Sequence, residues 1–164
     1  MSRSLGAVAP RSSSSSRDAA PEGVELTYET VEWSPPEGTR LTDALYEEYG
    51  LQSIRIPGSC AHPTKLVQSA AMASVASPKP SYRPHLPSSL VADGVLSDAQ
   101  LESVIYAGEA HADYLAGSWT VDATFDVVSA AREDAANDVR FRRGFMIGEG
   151  TGVGKGRQSA AIIL

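Results

Sequence analysis

A glycine-rich run near the end of the chain is the feature that most constrains its fold. The run reads GEGTGVGKGR over residues 148–157, between an apolar run at 145–147 and a helix-compatible run at 158–164. Glycines let consecutive backbone N–H groups point toward one centre, because no Cβ atom stands in the way. The order of apolar strand, glycine-rich turn and helix predicts an α/β unit that holds an anion at the N-terminus of the helix.

Lys155 directly follows the glycines, at the position where a P-loop carries the lysine that reaches the β- and γ-phosphates of a nucleotide. We therefore predict that ATP is the cofactor and that this run supplies half of its site. The predicted cofactor-binding residues of the run are Gly150, Thr151, Gly152, Val153, Gly154, Lys155 and Gly156. The alternative is a glycine-rich turn that binds no ligand, but such a turn does not need a lysine directly after G-x-G.

The run departs from the standard pattern G-x-x-x-x-G-K-[ST] at its two ends. Glu149 stands where the pattern has its first glycine, a position that varies in helicase-like motors of the form A-x-T-G-x-G-K-T. Gly156 stands where the pattern has a hydroxyl group that ligates Mg²⁺. We therefore predict that the chain supplies no metal ligand of its own, and that Mg²⁺ binds weakly or through water.

Composition narrows the class of protein. The chain has 164 residues, of which 42% are hydrophobic and 21% charged, and its net charge is −6. These values are ordinary for a soluble globular protein, and the negative charge argues against a chain built wholly around nucleic-acid phosphates. Cys60 is the single cysteine, so no internal disulfide can form, and no Cys/His cluster has zinc spacing. No apolar stretch approaches the ~20 residues that span a bilayer, so we predict no membrane partner.

Three regions are predicted to follow one another along the chain. Residues 1–23 form a predicted disordered tail, because Ser12–Ser16 is an unbroken serine run and large apolar side chains are almost absent. The arginines at its start, without any acid in the first seventeen residues, also suit an organelle transit peptide. We predict a mixed α/β region with a proline-rich connection over 24–95, and the start of a P-loop domain over 96–164.

Hydrophobic spacing predicts that the region ahead of the loop is mostly helical. The predicted elements are a strand over 24–28, a helix over 42–49, a small-residue helix over 65–75, an extended connection over 77–87, a capped helix over 97–111 and a short helix over 128–136. Arg140, Arg142 and Arg143 precede the strand that enters the loop, where they would form a solvated strand edge or contact phosphate.

Gln100 has two interpretations. Residues 97–100 read Ser-Asp-Ala-Gln, a capping-box sequence in which Ser97 accepts from the amide of Gln100 and Gln100 reaches back. A carboxamide can also donate and accept hydrogen bonds at once, which matches the N6/N7 edge of adenine. Gln100 is therefore a candidate cofactor-binding residue, and the alternative is a helix cap that touches no ligand.

From about His62 to Leu164 the chain resembles the N-terminal NTPase portion of the strawberry notch family, especially its bacterial relatives. The resemblance lies in blocks at 62–75, 96–102 and 148–157, and the Gly-Lys-Gly-Arg ending of the last block is typical of this family. It implies a superfamily 2 helicase-like protein with a P-loop core that acts with DNA or chromatin. In eukaryotic members it implies a part in transcriptional regulation. It also implies that Gln100 works as the glutamine of the helicase Q motif does.

The family places its acidic Walker B box and its arginine fingers well downstream of the P-loop, whereas this sequence ends at Leu164. We therefore expect an incomplete RecA-like core, belonging to an N-terminal fragment that has no catalytic residues and does not hydrolyse ATP alone. Nucleic acid would be a partner through the full-length protein. The expected location is the cytoplasm for a bacterial-type protein, and the nucleus or an organelle for a eukaryotic one.

Two alternatives from other classes stay open. Residues 65–75 and 77–87 could dock a partner in a non-catalytic interaction module that binds no nucleotide. The other alternative is a P-loop kinase or a small GTPase-like switch. Such proteins place the P-loop near the start of their domain and continue for more than about a hundred residues, which this sequence does not.

Overall fold

The structure is a computed structural model, and it describes residues 22–34, 45–132 and 135–164. The predicted tail lies outside the described residues except at its end, where Gly23 opens the first strand. The first part of the helix predicted over 42–49 also lies outside them.

The described residues form short strands and helices, with five strands ahead of the first helix. In chain order they are β1 (Gly23–Glu25), β2 (Glu29–Thr30), β3 (Tyr46–Glu48), β4 (Ile54–Arg55), β5 (Val67–Ser69), α1 (Ala70–Ala73), β6 (His85–Pro87), α2 (Ser89–Ala92), α3 (Asp98–Ala112), β7 (Trp119–Val121), β8 (Val128–Ala130) and α4 (Lys155–Ile163). The strands form two-stranded antiparallel ladders that pair β1 with β6, β2 with β4, β3 with β5 and β7 with β8. The fold is therefore mixed α/β.

Helix α3 forms the centre of the hydrophobic core. Leu101 and Ile105 are fully buried with Val104 beside them, and each such side chain contributes about 1.5–3 kcal/mol relative to an exposed one. The same hydrophobic cluster also contains side chains from the segments around the first ladders, from the residues just ahead of α3 and from α4. These are Leu26, Tyr28, Ile54, Ile56, Leu86, Leu96 and Ala161. The predicted capping box begins α3, since Ser97 Oγ accepts from the amide of Gln100 at 3.4 Å and Gln100 Oε1 accepts from the amide of Ser97 at 3.0 Å. That prediction is confirmed.

A strap over residues 77–87 packs on α3, and it contains no helix: residues 77–84 belong to none of the named elements, and residues 85–87 are strand β6. The carboxylate of Glu109 accepts from the amides of Ser81 and Tyr82 at 2.8 and 2.6 Å. The ring of Tyr82 lies so close to Gly108 that a Cβ on this glycine would stand 2.0 Å from a ring carbon. A glycine in the middle of α3 weakens the helix locally, but here it allows the strap to pack.

The prediction of a mostly helical region is wrong in the described residues. Tyr46–Glu48, within the helix predicted over 42–49, is strand β3, and Val67–Ser69, within the helix predicted over 65–75, is strand β5. The two strands pair with each other, and α1 begins only after its N-cap, Ser69. Pairing with a strand that is distant in sequence outweighs the local helical pattern, and hydrophobic spacing cannot reveal such a partner.

Two predictions around the loop are also wrong. The helix predicted over 128–136 is a strand at its start, because Val128–Ala130 is β8 in a hairpin with β7. The strand predicted to enter the loop is absent, because 145–147 belongs to none of the strands and the side chain of Met146 is 85% exposed. A strand needs a hydrogen-bonded neighbour, and the described part of the chain provides none at this place.

Replacing Gly108 by alanine tests the packing of the strap. Helix propensity alone predicts that alanine stabilises α3 by about 1 kcal/mol. The contact with the Tyr82 ring predicts the opposite, a loss of about 1–3 kcal/mol through overpacking, and so a lower melting temperature of the full chain. Gly156→Ala is the matched control, because a Cβ on this glycine of α4 meets nothing within 4 Å. An unchanged or raised melting temperature for Gly108→Ala would contradict the packing.

Candidate functional site

The glycine-rich run forms a turn that leads directly into α4. Gly152 and Gly154 have φ angles of 90° and 86°, in the left-handed region that favours glycine. Gly154 is the N-cap of α4, and no side chain in the described part of the chain caps this end of the helix. The first backbone N–H groups and the positive end of the helix dipole are therefore left for another acceptor.

Lys155, the first residue of α4, folds back over the loop. Its Nζ donates to the carbonyl oxygens of Glu149 at 2.9 Å and Gly150 at 2.7 Å. The ammonium group thereby closes the loop on itself. An anion at this place would compete with the two carbonyl oxygens, because a charged acceptor makes the stronger hydrogen bond.

Gln100 joins the start of α3 to the loop. Its Oε1 accepts from Ser97 in the capping box, and its Nε2 donates to the carbonyl oxygen of Val153 at 2.7 Å. A Cβ on residue 154 would stand 2.4 Å from this Nε2, so the contact requires Gly154 as much as its φ angle does. The sequence offers helix capping and contact with adenine as alternatives; the buried carboxamide forms the cap and, in addition, a contact with the loop that the sequence did not predict. Its contact with adenine stays a prediction.

Glu149 points its carboxylate toward the two helices. One carboxylate oxygen accepts from Ser103 Oγ of α3 at 3.1 Å, and the other accepts from Gln158 Nε2 of α4 at 2.6 Å. The sequence marks Glu149 only as a departure from the standard pattern, and it gives no role to Ser103 or Gln158. Gln158 and Ala161 lie at i and i+3 in the helix-compatible run, and this spacing, which places them on one face of α4, is the signal that could have found the glutamine.

A buried acid lies close to this group. Glu102 of α3 is 4% exposed, and the hydroxyl group of Tyr49 donates to its carboxylate. Burial, opposed by the Tyr49 hydrogen bond and reinforced by the charges of Asp98 and Glu149, raises the pKa of Glu102 to about 7. The pattern of the sequence did not single out this pair of residues.

The arginines ahead of the loop contact the end of α3. Arg142 Nη1 donates to the carbonyl oxygen of His111 at 2.7 Å. Arg143 forms an ion pair with Asp113 at 3.1 Å. The predicted strand edge is therefore wrong, because residues 140–143 belong to none of the strands, while the alternative contact with phosphate stays a prediction.

Among residues 22–34, 45–132 and 135–164, no group of three or more His, Cys, Asp or Glu side chains could hold a metal ion. No helix in those ranges has the length and apolar character to cross a membrane.

A family profile described as "P-loop containing NTP hydrolase pore-1" matches residues 61–164, which include α3, the loop and α4. The chain therefore belongs to this family of P-loop NTP hydrolases. It is 35% identical over 118 residues to the protein strawberry notch homolog of Caenorhabditis elegans and 36% identical over 102 residues to the protein strawberry notch of Drosophila melanogaster. It is 30% identical over 118 residues to protein strawberry notch homolog 1 of Homo sapiens. The resemblance to the strawberry notch family is thereby confirmed.

These alignments cover much of this chain and little of the relatives. They include 72%, 62% and 72% of the chain, but 5%, 5% and 7% of the worm, fly and human proteins. The activities and partners of the whole relatives therefore do not follow from the match. No solved structure matches the chain.

Replacing Glu102 by glutamine tests its raised pKa. Because the folded pKa of about 7 exceeds the ordinary value of 4.5, protonation favours the fold. That contribution is complete below the ordinary pKa and is lost as the pH rises through the folded pKa. Glutamine still accepts from Tyr49 and never ionises. We expect Glu102→Gln to stabilise the full chain at pH 8 by up to about 3 kcal/mol relative to the wild type, and by much less at pH 5.

Glu109→Gln is the control, because the pKa of Glu109 is shifted in the opposite direction to that of Glu102. Partial burial raises the pKa of Glu109, but the hydrogen bonds from Ser81 and Tyr82 outweigh this effect and hold the pKa below its ordinary value. Its charge therefore stabilises the fold above the ordinary pKa, and that contribution is lost as the pH falls. Thermal melts between pH 5 and pH 8 should show a growing advantage for Glu102→Gln alone. If the melting temperatures of the two variants changed with pH in the same way, the raised pKa of Glu102 would be contradicted.

Proposed function

We propose that the loop at residues 148–156 binds the β- and γ-phosphates of ATP, and that Lys155 supplies the cation that contacts them. The position of Lys155 carries this proposal, because its ammonium group folds over the loop at the uncapped N-terminus of α4. The ammonium group and the helix end both favour negative charge at this place. Membership of a family of P-loop NTP hydrolases supports the same conclusion.

The residues of the loop fit a triphosphate. A Cβ on Gly150, Gly152 or Gly156 would meet nothing within 4 Å, which leaves room for phosphate oxygens beside the backbone. The N–H groups of Gly152, Gly154, Lys155 and Gly156 would surround those oxygens. Mg²⁺ would be held by phosphate oxygens and water, because Gly156 offers no hydroxyl group, and it would neutralise phosphate charge.

We extend the proposal to Gln100 as a residue that contacts adenine. Its Nε2 uses one hydrogen on Val153 and its Oε1 accepts from Ser97, so one N–H and one lone pair remain. A donor and an acceptor side by side are what the N6/N7 edge of adenine requires. The base would then meet α3 at its N-terminus, next to the phosphate loop.

We also propose a wider role from the similarity to strawberry notch proteins. In this role the chain serves an ATP-dependent, helicase-like protein that acts with DNA or chromatin, and that regulates transcription from the nucleus where its host is eukaryotic. In a bacterial host the location would be the cytoplasm. Phosphate release by the full-length protein should rise when DNA or nucleosomes are added. The absence of any stimulation would count against the role.

Replacing Lys155 by alanine tests the phosphate contact. The loss of a charged hydrogen-bond donor should weaken the binding of a fluorescent ATP analogue to the full-length protein by about 10- to 100-fold. Lys65→Ala is the control, because Lys65 lies just ahead of β5 and forms an exposed ion pair with Glu48 of β3 at 3.6 Å. Chelating Mg²⁺ should change the wild-type affinity little. Equal affinities for the wild type and Lys155→Ala would refute the phosphate role.

Replacing Gln100 by alanine separates contact with the base from support of the loop. If Gln100 contacts adenine, the affinity for ATP should fall more than the affinity for GTP. The ratio of the two affinities should drop by about tenfold. Tripolyphosphate binding should weaken slightly, since Val153 loses its tie to α3. Gln52→Ala is the matched control, because Gln52 donates to the carbonyl oxygen of Ala73 at 3.0 Å. Equal weakening for ATP, GTP and tripolyphosphate would leave Gln100 only as a support of the loop.

A further inference from the structure

Glu149 stands at the first position of the loop pattern, and both of its carboxylate oxygens are bonded to helices. Ser103 Oγ of α3 donates to one oxygen at 3.1 Å, and Gln158 Nε2 of α4 donates to the other at 2.6 Å. We call these three residues the loop clamp. Because α3 and α4 pack against each other, the clamp fixes the start of the loop to both sides of that helix contact.

Gln158 is the member of the clamp that packing alone does not explain. It is fully buried on the same stripe of α4 as Ala161. Its Nε2 donates to Glu149, and its Oε1 has no hydrogen-bond partner among the described residues. A buried amide costs free energy unless it is bonded, so an apolar side chain would suit this position better if α4 needed only packing. Glu149 is the partner that accounts for a glutamine here.

The contact with Ser103 is the weaker half of the clamp. The single hydroxyl hydrogen of Ser103 is shared between the carbonyl oxygen of Ala99 at 3.2 Å and the carboxylate of Glu149 at 3.1 Å. The bond from Gln158 to the same carboxylate is shorter, and this Nε2 has no other acceptor among the described residues. Gln158 therefore supplies most of the strength of the clamp.

The clamp reaches the phosphate site through the backbone. The carbonyl oxygens of Glu149 and Gly150 are the two groups that hold Lys155. The opposite end of the loop is held at the carbonyl oxygen of Val153 by Gln100. A loop that is tied at both ends by side chains keeps its N–H groups and its lysine in place before a ligand arrives. Such pre-organisation strengthens binding.

We propose that Glu149 is a positioning residue for phosphate binding, which acts by tying the loop to Gln158 and Ser103. The proposal rests on the proposed function, because it states how the same site is held in shape. It also gives a role to the departure from the standard pattern, in which residue 149 is glycine. Restoring that glycine should weaken the binding of phosphates.

The test compares Glu149→Gly, Gln158→Leu and the double variant in the full-length protein. Each single variant should bind the ATP analogue and tripolyphosphate about tenfold more weakly than the wild type. The double variant should bind no more weakly than Glu149→Gly, because that change already removes the hydrogen bond from Gln158. The affinity for adenosine should not change, because the clamp acts on the phosphate loop. A purely structural role would not separate adenosine from tripolyphosphate in this way.

Two further variants sharpen the comparison. Glu149→Gln should fall between the wild type and Glu149→Gly, since its amide oxygen can accept from only one of the two donors. It also carries the test with Gln158→Leu if Glu149→Gly does not fold. The matched control is Glu47→Ala, because Gln68 Nε2 donates to Glu47 at 3.5 Å and repeats the chemistry of the clamp between β3 and β5. Glu47→Ala should leave both affinities unchanged.

The outcomes distinguish this proposal from the phosphate site itself. Wild-type affinity for tripolyphosphate in Glu149→Gly, or full addition of the two single effects, would overturn the clamp while leaving the role of Lys155 intact. If Lys155→Ala also bound as the wild type does, the proposed function itself would fail. Weakening confined to adenosine would overturn the clamp as well.

Discussion

The contact between α3 and α4 is the constraint on which the site depends. Helix α4 has nine residues, and a helix of that length is marginal in water without a tertiary partner. Its buried side chains, Gln158 and Ala161, are covered through packing on α3, where Leu101 and Ile105 are fully buried. The N-terminus of α4, the end that we propose to face phosphate, therefore lies where α3 holds it.

Apolar contacts hold α4 against α3, and polar contacts hold the loop in place on the two helices. Ala161 joins the hydrophobic cluster of α3, whereas hydrogen bonds from Gln100 and Ser103 of α3 hold the loop at Val153 and Glu149. Apolar burial is non-directional, so it can hold α4 against α3 without fixing its rotation. The amide of Gln158, by contrast, meets Glu149 in one orientation only. The polar contacts thus set the geometry that the apolar contacts stabilise.

The sequence predicted the parts of the structure that are encoded locally. The capping box at Ser97, the helix that it begins and the helix that starts at Lys155 each follow from residues within one or two turns of one another. The helices predicted at β3 and β5 were wrong, because each of these strands depends on a partner about twenty residues away. The strand predicted at 145–147 was also wrong.

The candidate site likewise has parts that are encoded locally and parts that depend on residues distant in the chain. The spacing of the loop residues and Lys155 predicts a phosphate site, because a P-loop pattern is contiguous in the chain, and that site stays a prediction. The contacts of Glu149 were not, since Ser103 lies far from it along the chain, and nothing in a pattern indicates that an acid in place of glycine has found two donors. Only one of the two contacts of Gln100 was predicted from the sequence. Its cap is local, but its bond to Val153 is not.

Two carboxyl groups close to a loop that is proposed to hold a triphosphate pose an electrostatic problem. Each of them would repel the phosphates across a medium that screens charge less than water does. The structure limits this repulsion in two ways. The charge of Glu149 is turned toward two hydrogen-bond donors, and Glu102 is buried against Tyr49 with a pKa of about 7, so that much of it is uncharged near neutral pH. The charge near the loop is therefore lowered at Glu102 by burial, while the carboxylate of Glu149 is held by hydrogen-bond donors on both helices.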